Sequence, residues 1–492
     1  MPKSTFEALE QELGEIHDIE SALDLLHWDM QCIMPVAASD QRARQIETMS
    51  KLVHSRKTSD RLGELIAGSA DFADAAGYGS YEAGLVRLAR RHYEQDRRVP
   101  LDLQGRIAQA QAEGFGIWRD ARAASDFSAF LPSLEKQIAL AREYIACFDL
   151  TDSPFDVLLD RYEEGATVVE VDRVFDRLKP RLIELTKTVS ANRHKVDNAM
   201  LHGHFPKAAQ MALSQDVVAR LGATEVAWRV VETVHPFEQN FGTNDIRLAT
   251  RYDENFFSTS YYGTIHEFGH GLYEAQVDPA LNRTPLARGV SMTVHESQSR
   301  LMENLVGRGR AFISFAWPQL RAAFPDAFDA YDAEAFYRAV NKMQPSFIRV
   351  EADELTYGLH IILRYELERD LFEGRLQAAD LPEIWNARMK EYLGVEVPND
   401  ALGVLQDVHW SHAGFGSFVG YSLGNIIGAQ LWQLIERDLP DLDAQFSAGE
   451  FGPLREWLRE HIHRFGRTYG TKKPLARLGI DRLDPEPLRA SI

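Results

Sequence analysis

The sequence predicts a mainly α protein: one large, lobed helical body with a short strand or hairpin just ahead of the helix that carries its most distinctive motif. Three observations carry that prediction. Apolar residues recur at three-and-four spacing through most of the 492 residues, the mark of one buried helix face. Alternation of apolar and polar residues is confined to one stretch, residues 241–257, and alternation is the period of a half-buried strand. No Pro, Gly or Ser-rich linker divides the chain, so a single domain over residues 1–492 is expected although the length exceeds the usual domain size.

Helical patterns run in order over residues 6–34, 40–67, 78–97, 103–124 and 127–147. In "VDRVFDRLKPRLIELTKTV", Val171, Val174, Phe175, Leu178, Leu182 and Leu185 then share one face. Pro180 lacks an N–H and its ring crowds the preceding turn, so a kink is expected there. Next, "FGTNDIRLATRYDENFF" sets Ile246, Leu248 and Thr250 against Arg247, Ala249 and Arg251. That strand is expected at an exposed sheet edge, where it would accept an extended peptide by main-chain pairing. Helical period returns over 352–373 and 421–437.

Composition narrows the function classes. Hydrophobic residues at 45% and charged residues at 26% fit a globular protein with a sizeable core. The formal charge is −19, and no run of Lys or Arg forms a stripe that would neutralise phosphates, so nucleic acid is not an expected partner. No apolar run approaches the roughly 20 residues that span a bilayer, and the N-terminal "MPKSTFEALEQELGEIHDIE" has acidic residues where a signal peptide needs an apolar stretch. With Cys32 and Cys147 as the only cysteines, a reducing compartment, the cytoplasm, is expected, with no membrane partner.

The distinctive motif is "TIHEFGHGLYE", residues 264–274. On a helix, His266 and His270 lie one above the other and can both point at one ion. Glu267, about 100° round the helix, sits beside that ion, where a base must be to take a proton from water. The alternative is a chance match in an ordinary buried helix. A catalytic zinc wants three protein ligands, and "SMTVHESQSRLMEN", residues 291–304, offers Glu296, 26 residues after His270. Two antiparallel helices joined by "VDPALNRTPLARG" would bring Glu296 opposite the histidines. Two histidines and a glutamate suit Zn2+, one per chain, or Co2+. Glu303, seven residues on, is the reserve ligand, and His295 reads as a hydrogen-bond partner behind a ligand.

The chain resembles the carboxypeptidase Taq family, metallocarboxypeptidases of the HExxH gluzincin type whose helical, grooved fold is similar to that of the angiotensin-converting enzyme and neurolysin group. The resemblance runs through "LLHWDMQCIMP" at 25–35, "SPFDVLLDRYEEG" at 153–165, "HPF" at 235–237, "HEFGH" at 266–270, "HESQSRLMEN" at 295–304, "IRVEAD" at 348–353 and "GVLQDVHW" at 403–410. It implies a two-lobed body around a deep groove, His266, His270 and Glu296 as metal ligands, Glu267 as base, release of single C-terminal residues from peptide substrates, and a homodimer.

A free C-terminal carboxylate calls for a guanidinium fork. Arg349 is the first candidate and Arg247 the second, each open to the alternative of a plain ion pair with Asp353 or Asp245. Tyr421, ahead of "LGN", and His409 are candidates to donate to the oxyanion of the intermediate, and either could instead satisfy a core hydrogen bond. His235 is expected to orient the base or a ligand. The family's D-x-R-x-T reads "DIRLA" here, with Ala249 for Thr, and its G-Y-F-P reads "GSFV", with Ser417 and Val419 for Tyr and Pro. The missing tyrosine is expected near the substrate end of the groove. Two other readings stay open: an oligopeptidase cutting internal bonds, and a helical peptide-binding protein with reduced activity.

Overall fold

Several of the helices begin where the sequence supplies both a cap and a face to cover. Ser80, Asp126, Thr167 and Asp353 each precede a helix and accept a hydrogen bond from an N–H of its first turn, satisfying donors the helix leaves unpaired. The structure is a computed structural model that describes residues 2–149 and 152–491. Long helices span Pro2–Cys32, Tyr81–Arg98, Leu101–Ala124, Phe127–Ile145, Val168–Asn192, Glu354–Phe372 and Phe418–Asp438, within a few residues of the periodic stretches. Val171, Val174, Phe175, Leu178 and Leu182 are buried as their spacing requires, and their helix is continuous through Pro180.

The expected helix over 40–67 is two helices, Ser39–Lys57 and Asp60–Gly68. Ser59 is extended, with φ −65° and ψ 144°, and its side chain accepts from the Leu62 N–H. A capping serine stops and restarts the helix without disturbing the apolar spacing that runs across it.

The sheet has three strands, β1 (Trp228–Glu232), β2 (Phe237–Asn240) and β3 (Ile246–Thr250), in the order β1-β3-β2. β1 pairs with β3 in parallel and β2 pairs with it antiparallel. This overturns the expectation of an edge strand at 246–250. β3 is the centre, with Val231 and Phe237 flanking Ala249 on its two sides, and the outer edges belong to β1 and β2. β3 is central because it is the apolar strand: Ile246, Leu248 and Ala249 are all at 0% exposure.

Two large apolar clusters make the interior. One gathers Phe155, Leu178, Leu363, Trp385 and Phe415, the other Phe205, Phe257, Phe268, Val294 and Phe328. The helix Phe418–Asp438 belongs to both, giving Phe418 and Ile426 to the first and Ile427 and Leu431 to the second.

Against that helix lies Met292–Arg300, and against this in turn lies Ser258–Ala275. Glycines set these approaches. A Cβ on Gly269 would stand 2.6 Å from both the Gln298 carbonyl oxygen and the Ser299 Cα, and one on Gly424 would stand 2.9 Å from the Glu296 Cβ. The glycine inside "HEFGH" therefore lets two backbones touch. Gly269→Ala is expected to cost about 1–3 kcal/mol of stability through overpacking. Gly105→Ala, where nothing lies within 4 Å, is expected to be neutral or stabilising by up to about 1 kcal/mol. Urea unfolding of both variants checks the contrast, and equal midpoints would refute it.

Candidate metal centre

His266 and His270 sit one turn apart on Ser258–Ala275, their ring centroids 5.0 Å from each other. The helix carrying Glu296 starts at Ser291, whose Oγ accepts from the Val294 N–H at 3.2 Å. That start aims Glu296 Oε2 at the pair, 3.7 Å from His266 Nε2 and 3.4 Å from His270 Nε2. The three ligand atoms lie within 4.8 Å of one another.

Hydrogen bonding fixes which ring nitrogens face inward. His266 Nδ1 meets Glu303 Oε2 at 2.9 Å. His270 Nδ1 meets His295 Nδ1 at 2.6 Å, and His295 Nε2 meets Glu274 Oε1 at 2.8 Å. Because Glu274 can only accept as a carboxylate, His295 donates from Nε2 and accepts at Nδ1, so His270 donates from Nδ1. Both ligand-helix imidazoles thus turn Nε2 toward a carboxylate oxygen, a donor set that fits a divalent cation such as zinc. The Gly289 N–H and Asn240 Nδ2 hold Glu274 at 2.9 and 3.0 Å.

Glu303, the reserve ligand, orients His266 instead. The chain runs from Met292–Arg300 into a π-helical turn, Leu301–Gly307, from which Glu303 also accepts from Arg300 and Arg308 at 3.2 and 3.1 Å. Arg300 Nε donates to Glu296 Oε1 at 2.8 Å. Burial alone would raise the Glu296 carboxyl, but Arg300 and His266 outweigh it and hold it well below the usual carboxylate range. Burial pushes His270 down to about 4, leaving its ring neutral. Glu267 is 6% exposed, and burial pushes its carboxyl up to about 7. Among the described residues no hydrogen bond ties that carboxyl to protein.

A second cluster faces the first. Arg300 stacks over the Tyr357 ring at 4.4 Å, and the Tyr357 hydroxyl accepts from Arg349 Nη1 at 3.0 Å. Arg349 is paired, but with Asp407 at 2.9 Å rather than with Asp353, which instead caps the helix Glu354–Phe372. Arg364, fully buried, shares Asp407. The two guanidinium groups overcome the burial that would raise Asp407 and keep it far below the usual range. The Arg349 guanidinium also lies 5.2 Å from the centre of the Tyr421 ring. His409 Nε2 is 3.5 Å from the Tyr421 hydroxyl. Burial pushes His409 down to about 3 and Tyr421 above its ordinary value, so a neutral imidazole stands beside a protonated phenol. Glu368 clamps the connecting loop from below, accepting from Trp410 Nε1 at 2.7 Å and the Gly416 N–H at 2.9 Å.

Arg247 is not brought into this arrangement. Its Nε and Nη2 pair with Asp245 at 2.9 and 2.8 Å, and it lies 4.5 Å from the Trp28 ring and 4.7 Å from that of Phe241. His235 is exposed before β2, and among the described residues no hydrogen bond joins it to Glu267 or the histidines, contrary to the expectation for it. Ala249, Ser417 and Val419 are all buried, and Ser417 Oγ donates to the Gly414 carbonyl at 2.7 Å.

Glu274, Arg300 and Asp407 join the site without being among the residues expected from the sequence. Glu274 continues the four-residue stripe of His266 and His270, and Arg300 stands four residues after Glu296, so helical spacing could have found both. Asp407 lay inside a quoted motif.

A family model described as "Carboxypeptidase Taq (M32) metallopeptidase" matches residues 8–492. The chain is 40% identical over 463 residues to carboxypeptidase 1 of Bacillus subtilis, covering 94% of this chain and 91% of that one. It is 38% identical over 480 residues to thermostable carboxypeptidase 1 of Thermus thermophilus, covering 95% and 93%. The crystal structure of the M32 carboxypeptidase of Deinococcus radiodurans is similar with a TM-score of 0.94 at 35% identity, covering 99% of this chain and 97% of that one.

Proposed function

The chain belongs to the carboxypeptidase Taq metallopeptidases, and from that premise we propose that it removes single residues from the C-terminus of peptides, with Glu267 as general base. The observation that carries the proposal is the convergence of His266 Nε2, His270 Nε2 and Glu296 within 4.8 Å beside a buried carboxyl that, among the described residues, makes no hydrogen bond to protein. His266, His270 and Glu296 would hold one Zn2+ per chain, with Co2+ as the alternative. A cation held there supplies Lewis acidity, making water more acidic and the scissile carbonyl more electrophilic.

Glu267 takes the proton of the attacking water and passes it to the leaving amine. Its carboxyl near neutrality suits both transfers. Tyr421, kept protonated by burial, donates to the oxyanion, and His409 holds the phenol in place. Arg349 carries five N–H donors, of which Asp407 and Tyr357 take three. The remaining two are offered to the substrate carboxylate; Arg247 is the second candidate. The peptide main chain is aligned by the outer edge of β2, the antiparallel strand. No helix of the described residues is long and apolar enough to cross a membrane. The cytoplasm and a homodimer complete the proposal.

Comparing a peptide with its C-terminally amidated twin tests the exopeptidase assignment. The amide is expected to lose roughly 100-fold in kcat/KM, since it removes the charged acceptor for the two N–H groups of Arg349 that Asp407 and Tyr357 leave free. Equal rates would instead establish an oligopeptidase that reads no carboxylate.

A further inference from the structure

A cavity of about 370 Å³ opens between Pro2–Cys32, Tyr81–Arg98 and the segment that follows the histidine helix. None of His266, Glu267, His270 or Glu296 lines it. Its wall is unevenly charged. Lys57 lies 3.3 Å from Glu20, and Arg288 lies 2.7 Å from Asp24, so those cations have partners. Arg467, which also lines it, has no ion-pair partner among the described residues. Its Nε donates to the Gly289 carbonyl at 3.0 Å, while its two Nη atoms donate to no protein acceptor among the described residues.

Glu20 and Asp24 line the cavity too, each taken up by its cation, and two histidines add further donors. Burial, together with Lys57 and Arg467, pushes His92 down to about 3, and His17 is lowered mainly by burial. Each neutral ring carries one N–H, and among the described residues neither makes a hydrogen bond to protein. Burial lowers Arg467 itself; Glu274 and, more weakly, Glu20 only partly offset it, and Arg288 adds to the lowering. A guanidinium fork bonded to no protein acceptor, sharing one cavity with two unengaged imidazoles, is an arrangement that can take an acceptor from outside.

We propose that this cavity binds a small oxyanion, a carboxylate or a phosphate group, held by the free Nη fork of Arg467 with His92 and His17 as further donors. A guanidinium fork gives such a group two parallel charge-assisted bonds, which a spherical halide cannot match. The ligand would lie directly behind the metal centre: the Gly289 carbonyl holds Arg467, and the Gly289 N–H holds Glu274, the partner of His295. The site is independent of which peptides the protein cleaves.

Calorimetric titration of the metal-loaded protein with inorganic phosphate, with acetate and with chloride, at constant ionic strength, tests the proposal. Saturable binding of phosphate or acetate but not chloride is expected, and the tighter of the two identifies the class. Arg467→Met should weaken it at least 10-fold. His92→Leu, which leaves the Gly289 contact intact, should weaken it several-fold and decides the matter should Arg467→Met not fold. Absence of saturable binding to the unaltered protein would overturn the proposal. So would equal binding by all three proteins, which would place the anion elsewhere, at the metal for example.

Discussion

Glu267→Gln is expected to lower kcat by about 10²–10⁴-fold while bound metal stays near about one per chain. The amide keeps the shape of the side chain but cannot take a proton, and His266, His270 and Glu296 are untouched by the change. Metal content by mass spectrometry and turnover of a short peptide, measured on the same preparation, check both halves. Substantial residual activity would remove Glu267 as the base, whereas loss of metal would mean the residue acts as a ligand. A stability effect accompanies the kinetic one. The wild-type carboxyl is raised from its ordinary 4.5 to about 7 in the folded metal-free protein, so the fold favours its neutral form. That contribution is complete below about 4.5 and is lost as pH rises through about 7. Metal-free Glu267→Gln should therefore gain on the wild type as pH rises from 5 to 8, measured by urea unfolding.

Asp407→Asn should produce the largest loss of stability, about 3–5 kcal/mol. Arg349 and Arg364 expose 7% and 0% of their side chains and share Asp407 as their carboxylate. Removing its charge strands two buried guanidinium groups, and water cannot reach Arg364 to compensate. The same substitution frees Arg349 to rotate and should raise KM for free-acid peptides. A shift in unfolding free energy within about 0.5 kcal/mol would show that the remaining acceptors, Tyr357 for the Arg349 guanidinium at 3.0 Å and Gln406 for that of Arg364 at 2.8 Å, suffice to hold them.

How much of this could be read from the chain depends on the distance over which each feature is decided. His266, Glu267 and His270 were legible because helical geometry fixes relations between residues one turn apart. Glu296 was legible because its motif begins a second helix at a short loop's remove. The helices themselves followed from apolar spacing, but the stop at Ser59 did not, since one capping hydroxyl leaves that spacing undisturbed. The strand at 246–250 was visible in its alternation, yet its central place was not: its neighbours are the short strands Trp228–Glu232 and Phe237–Asn240, whose half-polar residues carry no clear period. The partner of Arg349 lay out of reach of the sequence for the same reason. Asp353 is near in sequence but is drawn to a helix N-terminus, and the true partner, Asp407, arrives from a distant segment through tertiary packing.

The contacts at Gly269 and Gly424 bear on how the protein would respond to a change of ion. Three rods touching backbone to backbone, with each imidazole pinned from its far side, make a socket whose shape is set by protein alone. Stripping the cation with a chelator should leave the body folded, and adding back another ion of similar size should restore activity without any refolding step. On this scaffold the form of the socket belongs to the frame rather than to whatever ion it grips.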